Sequence, residues 1–371
     1  MTPVISSPTT EGRPTRSASR PRQSAEGAAA ATVDRLDADV RCYAGVRPNP
    51  VLAQVREAVA LARDHRPDAV VGIGGGSAMD VAKCVAVLAN CDGDPEGYLL
   101  DPGTVPADRS TLLVQVPTIA GSGSELTSFA TVYLGYRKLS LDHPSARADH
   151  VLIDPDLATT VPVPMAAASA LDALAQAVES AWAVAATPAS RALAVRAVET
   201  LAPVIAAVTS GGRFADPGLR TELARGAALA GAAINTSRTT AAHALSYALT
   251  ARHGIVHGTA VGLHLRWLIG FNAAATEADT RHPDGAAAVR QLVDDLQRIC
   301  VDAAGTPLED LVDRLLVMHG LRDFRMPHCD WRNSLASGRA ENNPRLLSPD
   351  DVVAGAARAA TRRTATVIAR G

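Results

Sequence analysis

The chain has no surplus of positive charge: 371 residues carry 36 Lys and Arg against 38 Asp and Glu, a formal net charge of -2. No block of like charge stands out either, so the electrostatic footprint of a phosphate backbone or an anionic lipid surface is missing, which argues against nucleic acid and membrane as partners. Cysteine is scarce and unpaired. Cys42, Cys84, Cys91, Cys300 and Cys329 are odd in number, scattered and without CxxC spacing. Neither a disulfide framework nor a zinc ribbon is expected, and free thiols in a reducing compartment are. No apolar run approaches the roughly 18 residues that a spanning helix needs, and the N-terminus lacks the apolar core of a secretory signal, so a cytoplasmic protein is expected. Lysine is nearly absent. Lys83 and Lys138 stand alone among arginines, and a compact ammonium with three rotatable donors is something arginine's planar fork does not imitate. Each lysine therefore has a specific role or is chance in an arginine-biased composition.

What is present is enough apolar residue, 47% of the chain, for two domains with buried cores. Residues 1–36 are rich in Pro, Ser, Ala and Arg without apolar periodicity and read as a disordered tail. From residue 37 to 163 short β-like runs alternate with helical stretches, the pattern of an α/β domain with a mainly parallel sheet. Runs at 69–73, 111–116 and 151–153 are its expected strands. From 164 to 371 the sequence is alanine-rich and helically periodic, which predicts an all-helical second domain.

Two loops follow expected strands. Gly74-Gly75-Gly76-Ser77 precedes a helical run, and glycines there let a backbone approach a pyrophosphate whose charge meets the helix N-terminus. A flexible turn has the same composition. The second loop, Thr118 to Glu125 with Ser122 in it, is also small and hydroxyl-rich, and two such loops in one sheet can clasp a dinucleotide from either side. In the helical part, Asp172 and Gln176 are four apart and share a helix face. They are two metal ligands or a hydrogen-bonded buried pair. His243 and His257, added to Asp172, make a plausible oxygen and nitrogen set for a divalent ion, with His253 and His264 nearby as shuttles or spectators.

These residues resemble the iron-containing (group III) alcohol dehydrogenases over about residues 38–355. The resemblance lies in Gly72 to Ser77 with Asp80 and Lys83, in Pro117 to Glu125, in Asp172 to Glu179, in His243 followed fourteen residues later by His257-Gly258, and in Asn343-Pro344-Arg345. It implies a Rossmann-like N-terminal domain, a helical C-terminal domain and a metal in the cleft between them. It further implies that Asn49, Gly75, Gly76, Thr118, Phe129 and Lys138 hold NAD(P)H and that Asp172, His243 and His257 bind Fe2+ or Zn2+. Two departures stand out. Gln176 replaces a usual His, and an amide is a weaker, neutral ligand. The family's first strand and helix, with an acidic residue for the adenosine ribose, have no counterpart before Asp37, which exposes an edge and part of the cofactor pocket.

A finer resemblance, in Asp172 to Trp182, Ala232 to Thr240 and His243 to Thr250, is to the branch whose members reduce phosphonoacetaldehyde to 2-hydroxyethylphosphonate. Arg238 and Arg252 bracket His243 in sequence and are the candidate phosphonate donors; the alternative is that they pair with acidic neighbours. The expected reaction is hydride transfer from the dihydronicotinamide to a small aldehyde polarised by the metal, with His253, His257 or bound water as proton source. The rivals are a generic alcohol dehydrogenase of the group, a metal-free reductase of the maleylacetate type, and a catalytically silent homologue acting as a binding partner. A homodimer is the assembly to consider.

Overall fold

A computed structural model describes residues 3–7, 38–321, 326, 327, 329 and 331–357. The chain divides into two compact units: Met1–Ile119 with Ser124–Thr160, and Ala120–Gly123 with Val161–Gly371.

The strands of the first unit are β1 (Pro3–Ser7), β2 (Asp39–Cys42), β3 (Ala69–Gly74), β4 (Leu112–Pro117), β5 (Phe129–Leu134), β6 (Arg137–Asp142) and β7 (His150–Val151). Five of them form one sheet in the order β2-β1-β3-β4-β7, and β5 and β6 form a separate hairpin. Parallel pairing from Ala69↔Leu112 to Gly74↔Pro117 brings the carboxyl ends of β3 and β4 level. Both glycine-bearing loops therefore start at one sheet edge, where the Thr118 N–H donates to the Gly74 carbonyl at 2.9 Å. Two helices, α1 (Leu52–His65) and α2 (Gly76–Leu88), pack Val55, Val59, Val81, Val85 and Leu88 with Val70 and Leu113 of the sheet into one core. Gly72 sets the spacing: a Cβ there would lie 2.4 Å from Gln115 Oε1 and 2.8 Å from Ala82 Cβ.

The expected disordered tail needs correction at its start. Pro3–Ser7 is a strand, antiparallel to both β2 and β3, so the position beside β3 that the missing first unit was expected to leave open is filled. Residues 8–37 lie outside those described. The β5–β6 hairpin was also not anticipated, although Gly135, with a φ of +59° at the first of two turn positions, is the residue such a turn requires.

The elements of the second unit, among the described residues, are helices and one isolated bridge, Thr280↔Arg345. A short helix of the first unit, α3 (Pro95–Leu100), precedes them in the chain. They begin with α4 (Val163–Trp182), α5 (Pro188–Thr209), α6 (Pro217–Ser237), α7 (Ala241–His253) and α8 (His257–Ala273). Helix α4 is central: its residues from Ala170 through Trp182 are all buried. Alanine at so many of them keeps the helix thin, which lets neighbours approach closely enough to converge polar groups. The expectation that no segment is as apolar as a membrane span fails at α5, which passes by length and composition. Its apolar residues Ala194, Ala197, Val198, Leu201 and Ile205 belong to the unit's own core.

His264 shows what burial costs inside this unit. It is 0% exposed, edge-on to Trp267 and Trp331 with ring centroids at 6.3 and 5.1 Å. Trp267 Nε1 donates to its Nδ1 at 3.4 Å, and its Nε2 has no partner. Burial alone pushes its pKa down to about 3, so the folded protein holds it neutral while the unfolded chain protonates it below the ordinary value of 6.5. The unfolded state then binds more protons, and stability falls with falling pH by up to ~1.4 kcal/mol per pH unit between those values. His264→Leu is expected to flatten the loss by about one proton equivalent; urea midpoints from pH 7 down to about 4.5 that run parallel in both proteins would contradict this.

Candidate active site

The second unit holds the cluster expected from the sequence. Asp172 lies in the middle of α4, His243 in the first turn of α7 and His257 at the start of α8. One ligand atom from each lies within 4.8 Å of the others. His243 Nε2 is 3.1 Å and His257 Nε2 3.9 Å from Asp172 Oδ1, and the two imidazoles meet edge to face at 5.4 Å. Gln176, one turn beyond Asp172, is oriented by its own hydrogen bond: Nε2 donates to the Ser122 carbonyl at 3.0 Å. Its Oε1 is left buried without a partner. An orphaned buried carbonyl oxygen on the helix face of a carboxylate that meets two imidazoles makes an oxygen and nitrogen donor set whose chemistry fits a divalent metal.

The electrostatics agree. Burial pulls His243 down, but Glu179 against Nδ1 and Asp172 against Nε2 outweigh it and leave the imidazole raised to about 9. Burial pushes Asp172 up, and the two histidines outweigh that too, holding its carboxyl below the usual range. The pocket stabilises positive charge on the Nε2 side of His243, whether a proton or a metal ion carries it. His257 is the open member of the cluster, its side chain 34% exposed, with Tyr247 stacked on it at 6.3 Å.

Glu179 joins this cluster without having been expected to. It lies on the α4 face of Asp172 and Gln176, and its carboxylate accepts from His243 Nδ1, from the Thr240 hydroxyl at 2.7 Å and from the Ala242 N–H at 2.7 Å. It does two jobs at once. It supplies the N-terminal cap that α7, lacking a side-chain cap of its own, needs for its free amides, and it fixes the His243 tautomer so that Nε2 faces Asp172. Its signal was an acid on the apolar face of an alanine-rich helix, since a carboxylate buried there has to be paired.

His253 is not brought into the cluster. It ends α7, ten residues and so roughly 15 Å of helix axis from His243, and its Nε2 contacts Cys329 Sγ at 3.3 Å. The two arginines also separate: Arg238 is half-buried ahead of α7, and Arg252 is exposed at its far end. They do not form the single clamp that their sequence positions suggested. His264, sealed between tryptophans, is a spectator.

The first unit holds the glycine loop and most of the other residues expected to meet the cofactor. Gly74 has a φ of +154° and Gly75 caps α2 without a side-chain bond, so the first amides of that helix carry no side-chain cap. Thr118 is buried beside them, Asn49 adopts a left-handed φ of +57°, and Phe129 and Lys138 lie on the hairpin. Ser122 departs from this group: it belongs to the second unit, where its carbonyl accepts from Gln176 of the same unit. Lys83 answers one of the two lysine questions. Fully buried, its ammonium donates to Ser124 Oγ at 3.0 Å, Thr127 Oγ1 at 2.8 Å and the Phe129 carbonyl at 2.8 Å, with Asp80 at 4.0 Å. Three radiating donors are what a lysine offers and an arginine fork does not. Burial pulls the ammonium down to about 8 against the partial support of Asp80 and Glu125.

A mixed sheet whose parallel strands β3 and β4 end in glycine-bearing loops in one unit and a carboxylate, amide and two-imidazole cluster in the other define a metal-assisted nicotinamide oxidoreductase. Comparison with known proteins agrees. The family model described as iron-containing alcohol dehydrogenase matches residues 18–155, and its C-terminal counterpart matches residues 166–359. The first match begins inside the stretch expected to be tail. The chain is 33% identical to phosphonoacetaldehyde reductase of Streptomyces viridochromogenes, over 85% of this chain and 82% of that protein. It is 37% identical to long-chain-alcohol dehydrogenase 1 of Geobacillus thermodenitrificans over 62% of this chain, spanning 58% of the relative. Among solved structures, sulfoacetaldehyde reductase from Bifidobacterium kashiwanohense in complex with NAD+ superposes with a TM-score of 0.76 at 25% identity, covering 90% of this chain and 88% of that one. The chain belongs to the iron-containing alcohol dehydrogenase family, whose NAD(P)-dependent alcohol dehydrogenase or aldehyde reductase chemistry matches the cofactor and the divalent metal inferred from its residues.

Proposed function

We propose that the protein reduces phosphonoacetaldehyde to 2-hydroxyethylphosphonate with NAD(P)H, as a cytoplasmic enzyme of phosphonate biosynthesis. The observation that carries the reductase reading is the convergence of Asp172, His243 and His257 beside the orphaned Oε1 of Gln176; the substrate rests on the similarity to the Streptomyces reductase and on Arg238. When bound, NAD(P)H supplies the hydride, and a divalent ion supplies Lewis acidity at the carbonyl oxygen. Asp172, Gln176, His243 and His257 hold the ion, with Glu179 orienting His243. Gly74 to Ser77 and Thr118 hold the pyrophosphate side of the cofactor, and Asn49, Phe129 and Lys138 the remainder. Arg238 meets the phosphonate. The proton that completes the alcohol enters on the side of His257, the half-exposed member of the cluster. Neither nucleic acid nor membrane takes part, and the enzyme works as a homodimer.

The test is reduction of phosphonoacetaldehyde and of propanal, with NADH and with NADPH, before and after chelation and reloading with Fe2+ or Zn2+. Loss on chelation and recovery on reloading are expected. Full activity after chelation would favour the metal-free reductase, and no change in dihydronicotinamide fluorescence at micromolar protein would favour a silent homologue. Because imidazole nitrogen suits iron and zinc better than an amide oxygen, Gln176→His is expected to tighten Zn2+ by about tenfold or more in a chelator competition. Weaker binding in that variant would remove Gln176 from the ligand set.

A further inference from the structure

Three non-glycine residues among those described have a left-handed φ: Asn49 at 57°, Arg66 at 51° and Arg238 at 61°. Arg66 has a ψ of 61° and caps a helix, an ordinary left-handed position. Arg238 differs, because its ψ of 179° puts it in a region that is essentially glycine's own. A β-carbon is strained there, and glycine would remove the strain without disturbing the chain path. An arginine occupies the position instead.

The strain is held from both sides. Asn342 Nδ2 donates to the carbonyls that bracket Arg238, that of Ser237 at 2.8 Å and that of Thr239 at 3.1 Å. Arg339 Nη1 donates to the Thr239 hydroxyl. Asn342 is itself anchored, its Oδ1 accepting from the Ala185 N–H at 2.9 Å and its carbonyl from the Val184 N–H at 3.0 Å. Two residues past Arg238 the chain reaches Thr240, whose hydroxyl donates to Glu179, which in turn holds His243. The clamp thus fixes where the Arg238 side chain starts relative to the metal-binding imidazole.

We infer that Arg238 is the residue that selects aldehydes bearing a tetrahedral oxyanion, and that Asn342 is the positioning residue that holds it in a backbone conformation it would otherwise leave. This rests on the proposed reading of the same site as an aldehyde reductase for an anionic substrate. A planar guanidinium offers a tetrahedral oxyanion two parallel donors, and folding stability is given up to aim them.

The experiment compares kcat/KM for phosphonoacetaldehyde and for propanal in the metal-loaded protein. Arg238→Gly is expected to raise Tm by about 2–5 °C, by relieving strain, while the preference for the phosphonate falls tenfold or more, mainly through KM for that substrate. Asn342→Asp keeps the acceptor for Ala185 but loses both donors; it is expected to lower Tm and the same preference together. Should Asn342→Asp fold poorly, the double variant with Arg238→Gly is expected to recover Tm but not the preference. An unchanged preference in Arg238→Gly or in Asn342→Asp overturns the role given to that residue while leaving the reductase reading standing. A parent enzyme that reduces propanal as well as phosphonoacetaldehyde overturns the substrate reading and this inference together.

Discussion

Gly258→Ala is expected to cost about 3 kcal/mol or more of folding stability and to lower kcat/KM by roughly a hundredfold. A Cβ at this position would sit 1.9 Å from the Ala168 carbonyl oxygen, 2.9 Å from that carbonyl's carbon and 3.0 Å from Asp172 Cβ. These are not the flexible ends of side chains. The Ala168 carbonyl belongs to the backbone of α4, so the methyl group is accommodated only if α8 moves away from α4 by more than an ångström. Gly258 adjoins His257, and Asp172 is on the helix being pushed away, so the movement opens the metal cluster directly. Urea denaturation and Zn2+ titration of the variant measure both losses. Gly270 on the same helix serves as the control: nothing lies within 4 Å of a Cβ there, and Gly270→Ala is expected to be neutral or to stabilise by up to ~1 kcal/mol through helix propensity. Similar stabilities for the two variants would mean that the close approach of α4 and α8 is not what Gly258 provides.

Glu179→Ala is the second change of large expected effect. Glu179 is 0% exposed, and its removal strips partners from His243 Nδ1, the Thr240 hydroxyl and the first amides of α7 in one step. Taking one partner from a buried charged pair typically costs about 3–5 kcal/mol. Metal affinity should fall by about 10- to 100-fold, because the imidazole loses the acceptor that fixes its tautomer. Metal content after dialysis and melting temperature are the readouts. A variant that keeps the parent's Zn2+ affinity would show that the Glu179 contact has no part in presenting His243.

How much of this could be read from the residues depends on the range of the interaction. The Gly74 to Ser77 loop was legible because strand, glycines and helix are contiguous, and Asp172 with Gln176 because helical spacing alone puts them on one face. The pairing of His243 with His257 was legible only as a shared spacing, since their meeting depends on α7, a short loop and the close approach of α8 at Gly258. Glu179 was harder, because its partners lie more than sixty residues away and nothing local marks a carboxylate as a cap for another helix. His253 misled in the opposite direction: closeness to His257 in sequence hid the three turns of helix that carry it away from His243. Arg238 shows no local signal, since no composition rule marks an arginine held in glycine's backbone conformation. Strand β1 was missed because its residues, Pro3 to Ser7, carry none of the alternating pattern of a half-buried strand.

The burial of Lys83 has a practical consequence for labelling the protein. With only two lysines in the chain and one of them sealed in the first unit's core, amine-directed reagents meet a single ε-amino group, that of Lys138 on β6. An α-amino group titrates roughly two units below a lysine, so it can be capped first near neutral pH, after which an acylating fluorophore at higher pH would mark one defined point beside the proposed nicotinamide residues. The many arginines would be untouched, so the protein offers site-selective conjugation without any engineered cysteine.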